Sequence, residues 1–175
     1  MTSTLDRRTG TVHRVTPADA ARMRALRLEM LADSPLAFLE TLAQAAARSH
    51  EDYRRRIVQA STGRQLAQFV ADPDPTARLI GHAGGTVLPD EPGVTVIFAV
   101  YVTPARRGTG VLSDLVEAVA QWSRDCGRPE LMLEVVVGND RAVRAYERLG
   151  FADTGVRMPH PVVAVLTELQ MRRSA

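Results

Sequence analysis

The run Val94–Val102, VTVIFAVYV, is almost wholly β-branched and aromatic, and it ends just before Pro104. Such a run reads as a central strand buried on both faces, and a strand of that kind needs helices packed over it. Arg106-Arg107-Gly108-Thr109-Gly110 follows. It opens Gly110–Cys126, which carries Leu112, Leu115, Val119 and Trp122 on one stripe of an amphipathic helix. A buried strand, a glycine turn and a helix in succession commit the chain to an α/β architecture.

The flanking segments extend that pattern. Residues 1–10 read as a flexible polar tail ahead of one domain over 11–175. Thr11–Val15 is predicted as a short strand, and Thr16-Pro17 starts a helix that runs to Met30 or Asp33. Ser34-Pro35 interrupts it before a second helical piece through Phe38, Leu42 and Ala46, and a third covers His50 to Ala60. Gln65–Ala71 and Leu79–Leu88 read as strands around the turn Asp72-Pro73-Asp74-Pro75. Leu131–Val137 is an apolar strand, and Gly138-Asn139-Asp140 opens a helix that Gly150 closes. Strands around Ala152–Met158 and Val163–Met171 finish the chain. The expectation is a single domain with a mixed, mostly antiparallel sheet of six or seven strands flanked by helices.

Composition removes several chemistries. All 22 basic residues are arginine. A Walker A loop, a Schiff-base enzyme and a lysine base are therefore excluded. The net charge of +2 argues against a nucleic-acid partner. Cys126 stands alone, and His13, His50, His82 and His160 have no metal-ligand spacing, so no metal is expected. No apolar stretch suits a membrane span or a leader, which makes the cytoplasm the expected compartment.

The strand–turn–helix unit suggests a ligand. Glycines bring backbone close to a bound group, and a helix N-terminus offers free N–H groups to an anion. A dinucleotide fingerprint does not fit, because Ser113 stands where its third glycine belongs. A second unit, Asn139-Asp140-Arg141-Ala142-Val143-Arg144-Ala145-Tyr146, continues through Gly150-Phe151 after the next strand. With Arg107-Gly108-Thr109-Gly110-Val111-Leu112 it resembles, in order and spacing, the paired motifs of the GCN5-related N-acetyltransferase (GNAT) superfamily. Leu112 departs from the glycine or alanine usual there, and its side chain is expected to turn into the core.

The resemblance implies acetyl-CoA as co-substrate, a primary amine as acceptor and direct transfer in a ternary complex. It implies a cofactor cradle of Val102, Arg107, Gly108, Thr109, Gly110, Val111, Leu112 and Ser113, joined by Asn139 and Tyr146. Arg107 adds a forked contact to phosphate. Val102 offers its N–H to the thioester carbonyl, and Tyr146 protonates the departing thiolate. Glu134 is a candidate base, with a water chain, Glu29 or Glu40 as alternatives. Asn139 also reads as a helix cap, and Tyr146 as a core aromatic. Arg141, Arg144 and Arg148 share a helix face that is either solvated or drawn to the 3′-phosphate. Leu36, Phe38 and Met158 are the expected acceptor wall, whose apolar character argues against a polycationic acceptor. A homodimer is admitted. The rival reading is a non-catalytic acyl-CoA-binding or sensing module of the same fold.

Overall fold

The computed structural model describes residues 10–175. The expected tail lies, apart from Gly10, outside the described residues. Strand β1 (Thr11–Arg14) is followed by a 3-10 turn at Pro17–Asp19 and helix α1 (Ala20–Asp33). Asp19 fixes the entry, accepting from the Thr16 N–H at 2.8 Å. Met23, Leu26, Met30 and Leu31 of α1 are buried.

The expected second helical piece is shorter than the sequence suggested. Helix α2 (Leu42–Ala47) starts only where Thr41 caps it, accepting from the Gln44 N–H at 3.2 Å. Phe38 therefore stands on a non-helical loop between α1 and α2. Helix α3 (His50–Ser61) follows, capped by Ser49.

Strands β2 (Leu66–Asp72), β3 (Gly81–Leu88), β4 (Glu91–Val102), β5 (Glu130–Val136), β6 (Ala152–Pro159) and β7 (Thr167–Ser174) join β1 in one seven-stranded sheet. The order is β1-β2-β3-β4-β5-β7-β6. Every neighbouring pair is antiparallel except β4 and β5. Helices α4 (Val111–Asp125) and α5 (Asp140–Arg148) complete the chain. β7 begins four residues later than predicted. The preceding segment is instead a turn, in which the His160 N–H donates to the Leu166 carbonyl at 2.9 Å.

Two apolar cores lie on opposite faces of the sheet. One joins Val15, Val70, Leu79 and Tyr101 to α1, α2 and α3. The other joins Ala67, Ile97, Leu131, Leu133, Leu169 and Met171 to α4, with α5 packed at its margin. Gly85 lets α4 lie close, since a Cβ there would meet Trp122 and Val119 at 2.9 Å. Thr95 ties β4 to the end of α4: its hydroxyl is 2.7 Å from Ser123 Oγ and accepts from Arg128 Nε at 2.8 Å. No helix among the described residues is long and apolar enough to cross a membrane.

The central strand departs from the expected burial on both faces. β4 pairs with β5 only from Val94 to Val96, against Glu130 to Met132. Beyond that the two strands diverge, and Phe98, Ala99 and Val100 are only half-buried. A bulge marks the divergence. Ala99 and Val100 stand opposite the single residue Ala83, and Ala99 takes a φ of +49°. Buried His82 holds that bulge, with its Nδ1 2.6 Å from the Ala99 carbonyl and its Nε2 3.2 Å from the Gln68 side-chain amide.

Candidate active site

The gap between the diverging strands is a cleft of about 540 Å³. Its walls are Ile97–Val102 of β4 and Leu133–Val136 of β5, with Arg107, Gly108, Gly110, Leu112 and Ser113 at one side and Asn139, Arg141, Tyr146 and Arg148 of α5 at another. Phe38 and Ala37 of the α1–α2 loop and Glu168 of β7 complete it.

The glycine turn has the geometry expected of it. Gly108 and Gly110 take φ values of +77° and +96°, which favour glycine. Thr109 Oγ1 closes the turn on the Arg106 carbonyl at 2.6 Å. Helix α4 has Gly110 as its N-cap and so no side-chain cap, whereas Thr41, Ser49 and Asn139 cap α2, α3 and α5. The N–H groups from Gly108 to Ser113 find no acceptor among the described residues. Nothing stands within 4 Å of a Cβ built on Gly108, so the space beside that glycine is open. The residues present fit a pyrophosphate.

Arg107 is placed differently from the forked phosphate contact expected. Its N–H donates to the Pro104 carbonyl at 3.3 Å, its Nε to the Val102 carbonyl at 3.0 Å, and its guanidinium pairs with Asp33 at 2.5 Å. It braces the turn against α1, and the cradle's N–H groups begin at Gly108. Leu112 is half-buried, packed on the core as its place on the apolar stripe suggested, and it also lines the cleft margin.

The Val102 N–H faces the cleft for a reason of register. Gly81 pairs with Val102, and the Thr103 N–H donates to the Ile80 carbonyl at 2.9 Å. Val102 thus occupies a non-hydrogen-bonded position toward β3, and its N–H points to the side from which β5 has departed.

Asn139 does cap α5, accepting from the Ala142 N–H at 3.3 Å, and it also lines the cleft. Tyr146 packs edge-to-face on Phe151 at 5.8 Å, and its hydroxyl has no hydrogen-bond partner among the described residues. Burial pushes this phenol well above its ordinary range. Arg141 and Arg148 line the cleft while Arg144 does not, so the three-arginine face is divided.

The carboxylates sort by register. Leu133, Val135 and Leu169 point into the α4 core, so Glu134 and Glu168 point to the opposite face. Glu134 stands opposite Gln170, and Glu168 opposite Val136, which makes the two glutamates diagonal neighbours. Glu134 is exposed rather than enclosed by apolar residues. Glu168 is 8% exposed, and burial and the charge of Glu134 push its carboxyl up, with His160 opposing. The other candidate bases are engaged elsewhere: Glu40 pairs with Arg27 and Arg48, and Glu29 with Arg78 and the Tyr101 hydroxyl.

The expected acceptor wall is only partly in place. Phe38 lines the cleft, Leu36 is 57% exposed and turned to solvent, and Met158 stands opposite Glu168 in the sheet. Glu168 went unnoticed in the sequence, and His160 was seen there only as a lone histidine with no role. Glu168 alternates with Leu169 and Met171 as a solvent-facing polar residue would, and nothing local shows that another loop covers it.

A splayed parallel pair with an uncapped, glycine-opened helix beside it is an α/β scaffold for an anionic ligand laid along a strand edge. Residues 29–151 match the acetyltransferase (GNAT) family, and the chain belongs to that family. GNAT enzymes use acetyl-CoA as co-substrate. The chain is 34% identical over 98 residues to mycothiol acetyltransferase of Mycobacterium avium, a match covering 52% of this chain and 31% of that protein. It spans about a third of the length of the curated relatives it matches. Among solved structures, a GNAT acetyltransferase from Streptococcus pneumoniae superposes with a TM-score of 0.77 at 16% identity, over 94% of this chain and 98% of that one. YncA of Salmonella typhimurium, solved with its cofactor acetyl-CoA, superposes at 0.74 and 18% identity, over 94% and 92%.

Proposed function

We propose that this protein is an N-acetyltransferase that moves an acetyl group from acetyl-CoA to a primary amine while both are bound. The observation that carries the reading is the β4–β5 divergence, which opens a cleft lined by the glycine turn, Tyr146, Glu134 and Glu168, where the turn's N–H groups and the Tyr146 hydroxyl have no partner among the described residues. The N–H groups of Gly108–Ser113 hold the pyrophosphate, and Arg141 and Arg148 add positive charge nearby. Asn139 sits beside the pantetheine path. The Val102 N–H donates to the carbonyl oxygen under attack, where negative charge develops. An alkylamine has a pKa near 10 and must lose a proton before attack, and the carboxylates at the cleft, Glu134 first among those the sequence offered, can take it. Tyr146 gives its proton to sulfur.

Calorimetry with acetyl-CoA and thiol release across a panel of amines test this reading. Binding together with thiol release for at least one amine is expected. Binding without release from any amine would leave a non-catalytic acyl-CoA module, and no binding would remove the cradle. Tyr146→Phe lowers kcat by about 10- to 100-fold with acetyl-CoA affinity unchanged; an undiminished kcat would take Tyr146 out of the chemistry.

A further inference from the structure

We propose that Glu168, set by His160 and paired with Glu134, is the group that receives the acceptor's proton, and that the two carboxylates form the seat of a cationic amine. The inference rests on the acetyl-transfer reading above. Glu168 is 8% exposed as a residue and 11% exposed in its side chain, lines the cleft, and accepts no hydrogen bond among the described residues. A carboxylate that opens only onto the cleft and has no protein donor is matched by an ammonium group, which brings both the donor and the opposite charge.

His160 supplies the positioning. Its Nδ1 accepts from the Val162 and Val163 N–H groups at 3.2 and 3.0 Å. The neutral ring's hydrogen is therefore on Nε2, which lies 3.8 Å from Glu168 Oε1. That is beyond direct hydrogen-bonding reach, so the ring presents a positive edge to the carboxylate without occupying it. The groups facing Glu168 are Glu134 from β5 and His160 from the β6–β7 turn, while its cross-strand partners Val136 and Met158 carry no charge. Tyr146, Arg141 and Arg148 of α5 face the same cleft.

The proton balance is complete without a further reactant. The acceptor enters as R–NH3+ and leaves as the amide, so two N–H bonds break while one N–C bond forms and the C–S bond breaks. One proton passes to Glu168 and returns to water past exposed Glu134. Tyr146 protonates sulfur, and the second proton from nitrogen restores its hydroxyl.

Glu168 must be ionised to act, so kcat rises with pH through its titration. Burial and the neighbouring negative charge place that acid limb above the ordinary carboxylate range. The test is the pH profile of kcat at saturating acetyl-CoA and amine, measured for the parent, Glu168→Gln and Glu134→Gln, with acetyl-CoA affinity followed by calorimetry. Glu168→Gln should lower kcat about 100-fold or more and abolish the limb, with acetyl-CoA affinity kept. Glu134→Gln should cost less and move the limb down, because a like charge has gone. His160→Phe should displace the same limb, which a packing role would leave in place. Should Glu168→Gln keep the parental limb, or Glu134→Gln be the variant that abolishes it, Glu168 is not the acceptor of the proton while acetyl transfer stands. A parent that neither binds acetyl-CoA nor releases thiol overturns both.

Discussion

His82 lies under the β4 bulge with 3% of its surface exposed, and it offers a quantitative test of how that bulge is held. Burial, with the Arg27 charge acting the same way, lowers its pKa from 6.5 to about 4. The unfolded chain therefore takes up a proton at higher pH than the folded chain does. Stability present above pH 6.5 is lost as pH falls through 4. The gap between 6.5 and about 4, at about 1.4 kcal/mol per pH unit, comes to about 3 kcal/mol in full. About 2 kcal/mol of that is gone by about pH 5. Urea unfolding of the parent and of His82→Gln, at about pH 7.5 and about pH 5, isolates the effect. Glutamine cannot titrate, and the chain's carboxylates respond to acid in both proteins. The parent should lose about 2 kcal/mol more than the variant on acidification, whatever their stabilities at neutral pH. Equal losses would refute the claim that a neutral ring is sealed against the Ala99 carbonyl.

Two further substitutions probe the scaffold around the cleft. A Cβ on Gly84 would stand 2.4 Å from the Phe98 ring, so Gly84→Ala pushes that ring into the cleft. The expected cost is about 1–3 kcal/mol in urea with a raised KM, and adding Phe98→Leu should recover part of both. Thr95→Val leaves Arg128 Nε and Ser123 Oγ each short of a buried partner, for a loss of about 1–3 kcal/mol; a change under about 0.5 kcal/mol would show that the network carries little.

The sequence was informative where cause and effect are neighbours along the chain. Pro104 ending a strand, Gly110 opening α4, Asn139 capping α5 and Gly150 closing it at φ +88° are all decided within one or two turns. The β4 bulge was not legible, because Ala99 carries no mark of a positive φ and is held by a histidine 17 residues away. Glu168 was missed because its setting depends on the register of β5 against β7 and on the fold-back of His160. Arg107 was assigned a phosphate from its place beside Gly108, while its partner Asp33 lies 74 residues earlier. The length of the α1–α2 loop was misjudged too, since Ala37 and Phe38 look helical until Thr41 supplies the cap.

The donors around Gly108–Ser113 belong to the main chain, and that sets how this protein responds to mutation. A binding surface made of side chains can be dismantled one residue at a time. Here an alanine scan would remove no donor, and a single exchange that keeps the turn's dihedrals should leave the anion's partners intact. The vulnerable positions are the two glycines that set the curve and Arg107, whose tie to Asp33 braces it. Thr109, whose hydroxyl closes the turn, and Val111, which is buried in the core, are constrained for the shape they hold and not for any donor they supply.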